Sequence, residues 1–257
     1  MSWRDSMQQA LGAAGESWIV PDWPVPASVR AFVTTRAGGV SEGEYASLNL
    51  GARSGDAAQN VERNRRIVRE HLPQAPRWLA QVHGAEVAMA DDLADDANAM
   101  ADAAVARKAG RVCTVLTADC MPLFVADEWG THVAVAHAGW RGMAAGVIEN
   151  TVAAMGSPPA SLVAWMGPAI GPDAFEVGSE VREAFIAVDP ASEAAFRPHR
   201  PGKFMADLYA LARLRLARAG VREVHGGGFC TFHEAGRFFS YRREKKSGRM
   251  GAFIWME

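Results

Sequence analysis

Cysteine is scarce in this chain: Cys113, Cys120 and Cys230 are its three, and they stand far apart. Such spacing makes neither a disulfide framework nor a Cys-x-x-Cys zinc knuckle, so a reducing, cytoplasmic setting is expected. A long apolar run is missing too. The most apolar stretch, Val112 to Trp140, is broken by Asp119, Asp127 and Glu128 and cannot supply the ~18 uninterrupted residues of a spanning helix. The first ten residues show no basic segment followed by an apolar one, so neither export nor a membrane partner is expected. Neither charge sign dominates: a net charge of -2 leaves no basic field to attract nucleic-acid phosphates. No Gly-x-Gly-x-x-Gly follows a strand and no Walker loop occurs, which removes the two commonest nucleotide-phosphate cradles. Repeats, low-complexity segments and linkers are absent as well, so residues 1–257 read as one domain, with 1–27 as an arm laid on its body.

Strand and helix signals alternate irregularly along the chain. Arg30 to Thr35 alternates like a strand, and Asn60 to Leu72 carries helix formers stopped by Pro73. Short apolar runs at Trp78 to Val82, Val112 to Thr117, Met121 to Val125 and His132 to Ala136 predict buried strands. Asp127-Glu128-Trp129-Gly130 has type I turn chemistry and predicts a hairpin between the last two. Ala145, Ile148, Val152 and Met155 repeat at helical spacing, with Gly156 as C-terminal cap. A strand is expected at Leu162 to Met166, helices at Glu180 to Val188 and Met205 to Ala219, and a final strand at Ala252 to Met256. The pattern is too irregular for a doubly wound sheet. It predicts an α+β fold with central mixed β-sheets flanked by helices.

Three places carry chemistry: Gln81-Val82-His83-Gly84, Thr117-Ala118-Asp119-Cys120-Met121-Pro122, and His137-Ala138-Gly139-Trp140-Arg141-Gly142. Each sets a metal-ligating residue at the end of an apolar strand beside Gly or Pro, where the chain turns and side chains can converge. Two imidazoles and a thiolate suit zinc, and copper less well. Three protein ligands leave a fourth position open, as in catalytic zinc sites. Taken singly, a Cys is most often core, and Cys113 is read so. Cys120 differs because Asp119 precedes it and Pro122 follows it. His71, His132, His199 and His225 read as surface or structural residues, and His233 is open.

The chain resembles the YfiH-like, or laccase-domain (polyphenol oxidase), family, which includes peptidoglycan editing factors and purine nucleoside phosphorylase-like proteins. The resemblance rests on Thr34-Thr35-Arg36 with Gly38-Gly39-Val40-Ser41, Ser47-Leu48-Asn49-Leu50-Gly51, Asn64-Arg65, the three stretches above, Met166-Gly167-Pro168-Ala169-Ile170-Gly171, and Tyr241-Arg242-Arg243 with Ser247-Gly248-Arg249-Met250. It covers nearly the whole chain in unbroken order. Ala52-Arg53 departs from it, since relatives often carry histidine and valine there. The resemblance implies zinc on His83, Cys120 and His137. It also implies one of several reactions: phosphorolysis of adenosine, inosine or methylthioadenosine, adenosine deamination, copper-dependent phenol oxidation, or hydrolysis of serine from a UDP-muramic acid precursor.

Physical chemistry ranks these. Multicopper oxidation needs roughly a dozen ligands dominated by imidazole, and the chain has seven histidines. The His-x-Glu and Pro-Cys-x-x-Cys arrangement of zinc nucleobase deaminases is absent, so deamination would need another geometry. Phosphorolysis needs donors for phosphate, for which Arg36, Arg141 and Arg242 are candidates through their guanidinium forks. Asn49 can hydrogen-bond the nucleoside, and Asp119 can donate a proton if burial raises its pKa. The expectation is a zinc-dependent purine nucleoside phosphorylase with deaminase side activity, monomeric or homodimeric. A thiol amidase with Cys120 as nucleophile and His137 or His83 as base is the second reading. The third is non-enzymatic: a closed structural metal site, with His233 or Asp119 as fourth ligand, and loops that bind a partner protein.

Overall fold

The computed structural model describes residues 3–13, 17–94 and 98–257; positions 1–2 and 14–16 of the expected arm lie outside it. In chain order come α1 (Trp3–Ala13), β1 (Val29–Val33), α2 (Ala58–Arg69), β2 (Val87–Met89), β3 (Ala103–Ala106), β4 (Cys113–Thr117), β5 (Met121–Asp127) and β6 (Val133–Ala138). Then follow α3 (Trp140–Ala145), α4 (Val147–Met155), β7 (Leu162–Met166), β8 (Glu176–Gly178), α5 (Ser179–Ile186), β9 (Phe196–Arg200), β10 (Lys203–Ala206), α6 (Leu208–Arg218), β11 (Glu223–Gly226), α7 (Tyr241–Glu244) and β12 (Met250–Met256).

The strands form a six-stranded mixed sheet, β11-β7-β5-β6-β3-β2, and two antiparallel three-stranded sheets, β1-β12-β4 and β8-β10-β9. Period-two alternation sorts their side chains into layers. In the six-stranded sheet, Met121, Leu123 and Val125 of β5 and Ala134, Ala136 and Ala138 of β6 pack against the apolar faces of α4 and α6. The intervening Phe124, Ala126, Val133 and Val135 meet Ala31, Val33, Val115, Ala252 and Ile254 of the β1-β12-β4 sheet. The far side of that small sheet, Phe32, Phe253 and Trp255, is covered by Val68 of α2 and by Leu48, Leu50 and Trp18. Both sheets are therefore buried on both faces, which is why their strands read as continuous apolar runs in the sequence. This is the α+β architecture expected, with mixed sheets between helices.

The expected hairpin forms: β5 and β6 pair antiparallel, and Asp127 caps the turn by accepting from the Thr131 backbone N–H (2.7 Å) and hydroxyl (2.6 Å). Three expectations need correction. Trp78 to Val82 is not a strand: Leu79 makes a single bridge to Ala99, and the Gln81 side-chain amide, not the backbone, pairs with Leu116. The repeat from Ala145 to Met155 is two helices, because Gly146 adopts φ +98 and ends α3 before α4 begins. Met205 and Ala206 belong to β10, and α6 starts after Asp207, whose carboxylate caps it by accepting from the Ala210 N–H (3.0 Å). The N-terminal segment adds a helix not anticipated. Trp3 of α1 packs edge-on against Trp255, and Ile19 bridges Val33.

Candidate metal centre

The antiparallel pairing of β5 with β6 sets the start of one strand beside the end of the other. Pro122 lies opposite His137 and Met121 opposite Ala138, so Cys120 and His137 emerge at one end of the large sheet. The starts of the parallel strands β2 and β3 lie at that same end, since β3 runs antiparallel to β6. The loop carrying His83 leads into β2, and Gln81 pins it by exchanging two hydrogen bonds with Leu116 (2.9 and 2.8 Å). Cys120 stands where the chain crosses from the small sheet to the large one, after Asp119 in left-handed backbone (φ +85); His83 is left-handed as well (φ +61). Two such non-glycine residues side by side at one site are strain held by the surrounding structure.

The ligand atoms of His83, Cys120 and His137 all lie within 4.8 Å of one another, and the two imidazole rings are 4.9 Å apart at 72°. Gly139 makes room for the sulfur: a Cβ there would stand 2.6 Å from Cys120 Sγ. His137 is buried, Cys120 half-buried and His83 exposed, so the centre opens towards solvent on the His83 side.

One carboxylate organises the group. Asp102, fully buried, accepts from the Nδ1–H of His137 (2.8 Å) and from the backbone N–H groups of Val82 (3.0 Å), His83 (2.9 Å) and Gly84 (2.7 Å). It fixes the tautomer of His137, leaving Nε2 free to ligate, and sets the loop of His83 by the same two oxygens. Burial works against its charge, but the His137 hydrogen bond and the Gly84 and Val82 N–H groups prevail and hold it below the usual carboxylate range. Burial likewise opposes ionisation of Cys120. The charge and hydrogen bond of His137, then those of His83, outweigh it and bring the thiol down to about 6. His137 moves the other way, to about 9, where burial is overcome by Cys120 and Asp102. Three donors thus converge on one point with the sulfur disposed to be a thiolate, which is the chemistry a zinc ion requires.

The remaining expected residues fall around this centre unequally. Asp119 accepts from the Thr231 hydroxyl at Oδ1 (2.6 Å) and from the Arg242 backbone N–H at Oδ2 (2.6 Å), so it ties segment 231–242 to the centre. Arg242 itself donates to the Glu176 carbonyl (2.8 Å) and lies over Phe175. Arg36 is engaged by the carbonyls of Ala46 (2.9 Å) and Ala235 (3.0 Å) and by Glu244 (3.1 Å). Arg141 is exposed and stacks on Trp140 at 4.4 Å. Asn49 is buried, and its amide is taken up by Ser54, Asp56, Gly51 and Arg249, so it serves the scaffold rather than a ligand. Cys113 is core, and burial pushes its thiol up. His233 lines a separate cavity of about 470 Å³ with Cys230 and Tyr209, so it supplies no fourth ligand. Among the described residues His83, Cys120 and His137 are the one cluster of three possible metal ligands. A closed four-ligand site therefore does not form from His233 or Asp119.

Sequence reasoning missed Asp102. Its one signal is an acid placed directly before the small apolar run Ala103-Ala104-Val105-Ala106, a poor neighbour unless it has buried donors to satisfy.

Residues 30–257 match the family described as multi-copper polyphenol oxidoreductase laccase. A Pseudomonas aeruginosa protein named as a purine nucleoside phosphorylase is 53% identical over 94% of this chain and 99% of its own length. The Escherichia coli protein named purine nucleoside phosphorylase YfiH is 52% identical over 93% of this chain and 98% of its own. The crystal structure of a Neisseria meningitidis protein superimposes with a TM-score of 0.90 at 49% identity, covering 93% of this chain and 99% of that one. YlmD from Geobacillus stearothermophilus gives 0.83 at 32% identity, covering 90% and 93%. One three-donor cluster among the described residues does not fit the several coppers of the family description, whereas it fits a single ion. On sequence over almost its full length and on fold, the chain belongs to this laccase-domain family.

Proposed function

We propose that this protein is a zinc-dependent purine nucleoside phosphorylase acting on adenosine, inosine and methylthioadenosine, with adenosine deamination as a side activity, in the cytoplasm. The observation that carries the reading is the open three-donor centre of His83, Cys120 and His137, found in a chain whose relatives at 52% and 53% identity bear the phosphorylase name. Two imidazoles and a thiolate with one position left open are the donor set of a catalytic zinc. Zinc held by His83, Cys120 and His137 would supply a fixed positive charge to the reaction.

In phosphorolysis the bond between the ribose anomeric carbon and the purine nitrogen breaks, its electron pair leaves with the purine, and a phosphate oxygen bonds to that carbon. The purine takes up a proton. The chain's part is to hold and to orient. Asp102 fixes His137 and the His83 loop, and Asp119 holds the Thr231 and Arg242 segment against the centre. The exposure of His83 leaves the side on which a nucleoside can arrive.

The pairing of Cys120 with His137 also favours a second reading, a thiolate nucleophile in an amidase acting on a serine-containing cell-wall precursor. An amide trap separates the two: a nucleophile is trapped as an adduct on Cys120, whereas a metal-held sulfur stays unmodified until a chelator is added. The phosphorylase reading is tested by incubating the purified protein with inosine, with and without phosphate, and following phosphorus resonance and base release. Ribose 1-phosphate formed in equal amount to free base, and no base without phosphate, is the expected result. Untouched nucleosides would remove the reading.

A further inference from the structure

The geometry points to Arg249 as the residue that grips inorganic phosphate beside the metal centre. This rests on phosphorolysis as the reaction. Phosphate needs a guanidinium edge free to donate, and the arginines around the site differ in what they offer and in how near the centre they stand. Arg36 is engaged by two carbonyls and Glu244, and Arg243 donates to the carbonyls of Thr231, Phe232 and Phe238 and to Glu244. Arg242 gives its Nη1 to the Glu176 carbonyl and lies over Phe175, and Arg141 stands exposed on Trp140. Arg249 joins a free edge to nearness to the centre, since the charges of Cys120 and Asp119 act on it. Its Nη1 is taken by the carbonyls of Ser247 (2.6 Å) and Gly248 (2.9 Å), and among the described residues it forms no ion pair with a carboxylate. Its Nε and Nη2 edge has no hydrogen-bond partner among the described residues.

The side chain is held in place by its surroundings. The Arg249 backbone N–H donates to Asn49 Oδ1 (2.9 Å), the oxygen that also accepts from the Gly51 N–H (2.9 Å). Its stem lies so close over Gly51 that a Cβ there would come within 2.7 Å of Arg249 Cγ. The run Asn49-Leu50-Gly51 therefore acts as the support of this arginine. Its guanidinium lies 5.8 Å from the ring of half-exposed Tyr241, and the peptide N–H between Tyr241 and Arg242 donates to Asp119. With the charges of Cys120 and Asp119 acting on it, Arg249 stands on the Asp119 and Cys120 side of the centre. Burial holds the guanidinium below the usual arginine range, against the pull of Cys120, Asp119, Tyr241 and Tyr45. A partly desolvated cation without a carboxylate partner, at the rim of an open metal centre, is what an incoming phosphate dianion would satisfy.

The test is calorimetric titration of inorganic phosphate into zinc-loaded wild type, Arg249→Gln and Arg249→Lys, with zinc content measured on each and Michaelis constants measured for phosphate and inosine separately. Arg249→Gln should weaken phosphate binding by about 10- to 100-fold, the worth of a charge-assisted bidentate contact. Its zinc content and its Michaelis constant for inosine should stay near wild type, and Arg249→Lys should fall between the two. Unchanged phosphate affinity in Arg249→Gln, or no phosphate binding by wild type, overturns the assignment. So does loss of zinc in both variants, which would make the residue a scaffold. If only Arg249→Gln loses zinc, the lysine variant decides: several-fold weaker phosphate binding upholds the assignment and wild-type binding overturns it. Wild type that binds phosphate through Arg249 yet leaves nucleosides intact overturns the phosphorylase reading and not this one.

Discussion

His137 is fixed by a carboxylate 35 positions away, and the centre's properties follow from that bond. Asp102→Asn keeps the shape but lets the imidazole take the wrong tautomer and removes a charge acting on it. Zinc affinity should fall about 10- to 100-fold, measured by competition with a chromophoric chelator, while the far-ultraviolet circular dichroism is unchanged. The metal-free protein should also show a pH window. The Cys120 pKa is lowered by folding, so its contribution to stability is lost as pH falls through about 6; the His137 pKa is raised, so its contribution is lost as pH rises through about 9. Because each charge depends on the other, the stabilisation of the pair is present between those values and lost on both sides. Thermal melts across pH, with Cys120→Ser as a flattened control, check this. That His83, Cys120 and His137 come together was legible in the sequence, because Cys120 and His137 stand at strand ends near Pro122 and Gly139 and His83 in a loop before Gly84. Asp102 and Arg249 were not, because their roles depend on partners brought near by folding, and the same is true of the Ala235 and Glu176 carbonyls that take Arg36 and Arg242.

At the scale of elements, what carries its own punctuation was readable. The β5–β6 hairpin is written in Asp127-Glu128-Trp129-Gly130, and α2, β7, α5 and β12 follow from their apolar periods. Elements too short to show a period, such as β2, β3 and β11, were not, and neither was the break between α3 and α4, since a helical repeat continues in phase through Gly146. That residue's φ of +98 predicts the cost of removing it. Gly146→Ala should destabilise by about 1–2 kcal/mol, seen as a lower midpoint in urea, with zinc content unchanged because the residue lies at the far end of α3 from Gly139.

Across the whole molecule, two sheets buried on both faces form the floor beside which His83, Cys120 and His137 come together. The helical layer is locked to itself by Arg215 of α6, nearly fully buried, whose Nε lies 2.8 Å from Glu149 of α4 and whose Nη2 donates to the Met143 carbonyl of α3 (2.8 Å). Glu149→Ala leaves that guanidinium without its counter-charge and should cost about 3 kcal/mol, the low end for breaking a buried pair because Glu149 is partly exposed. Chemical denaturation measures it. The central claim, that one zinc on His83, Cys120 and His137 serves phosphorolysis, is tested most directly on purified wild type and Cys120→Ala side by side, by metal content and by base release from adenosine and inosine with and without phosphate. The account predicts about one zinc per wild-type chain, base released only when phosphate is present, and both lost in the variant. Zinc and phosphate-dependent release persisting in Cys120→Ala would contradict it.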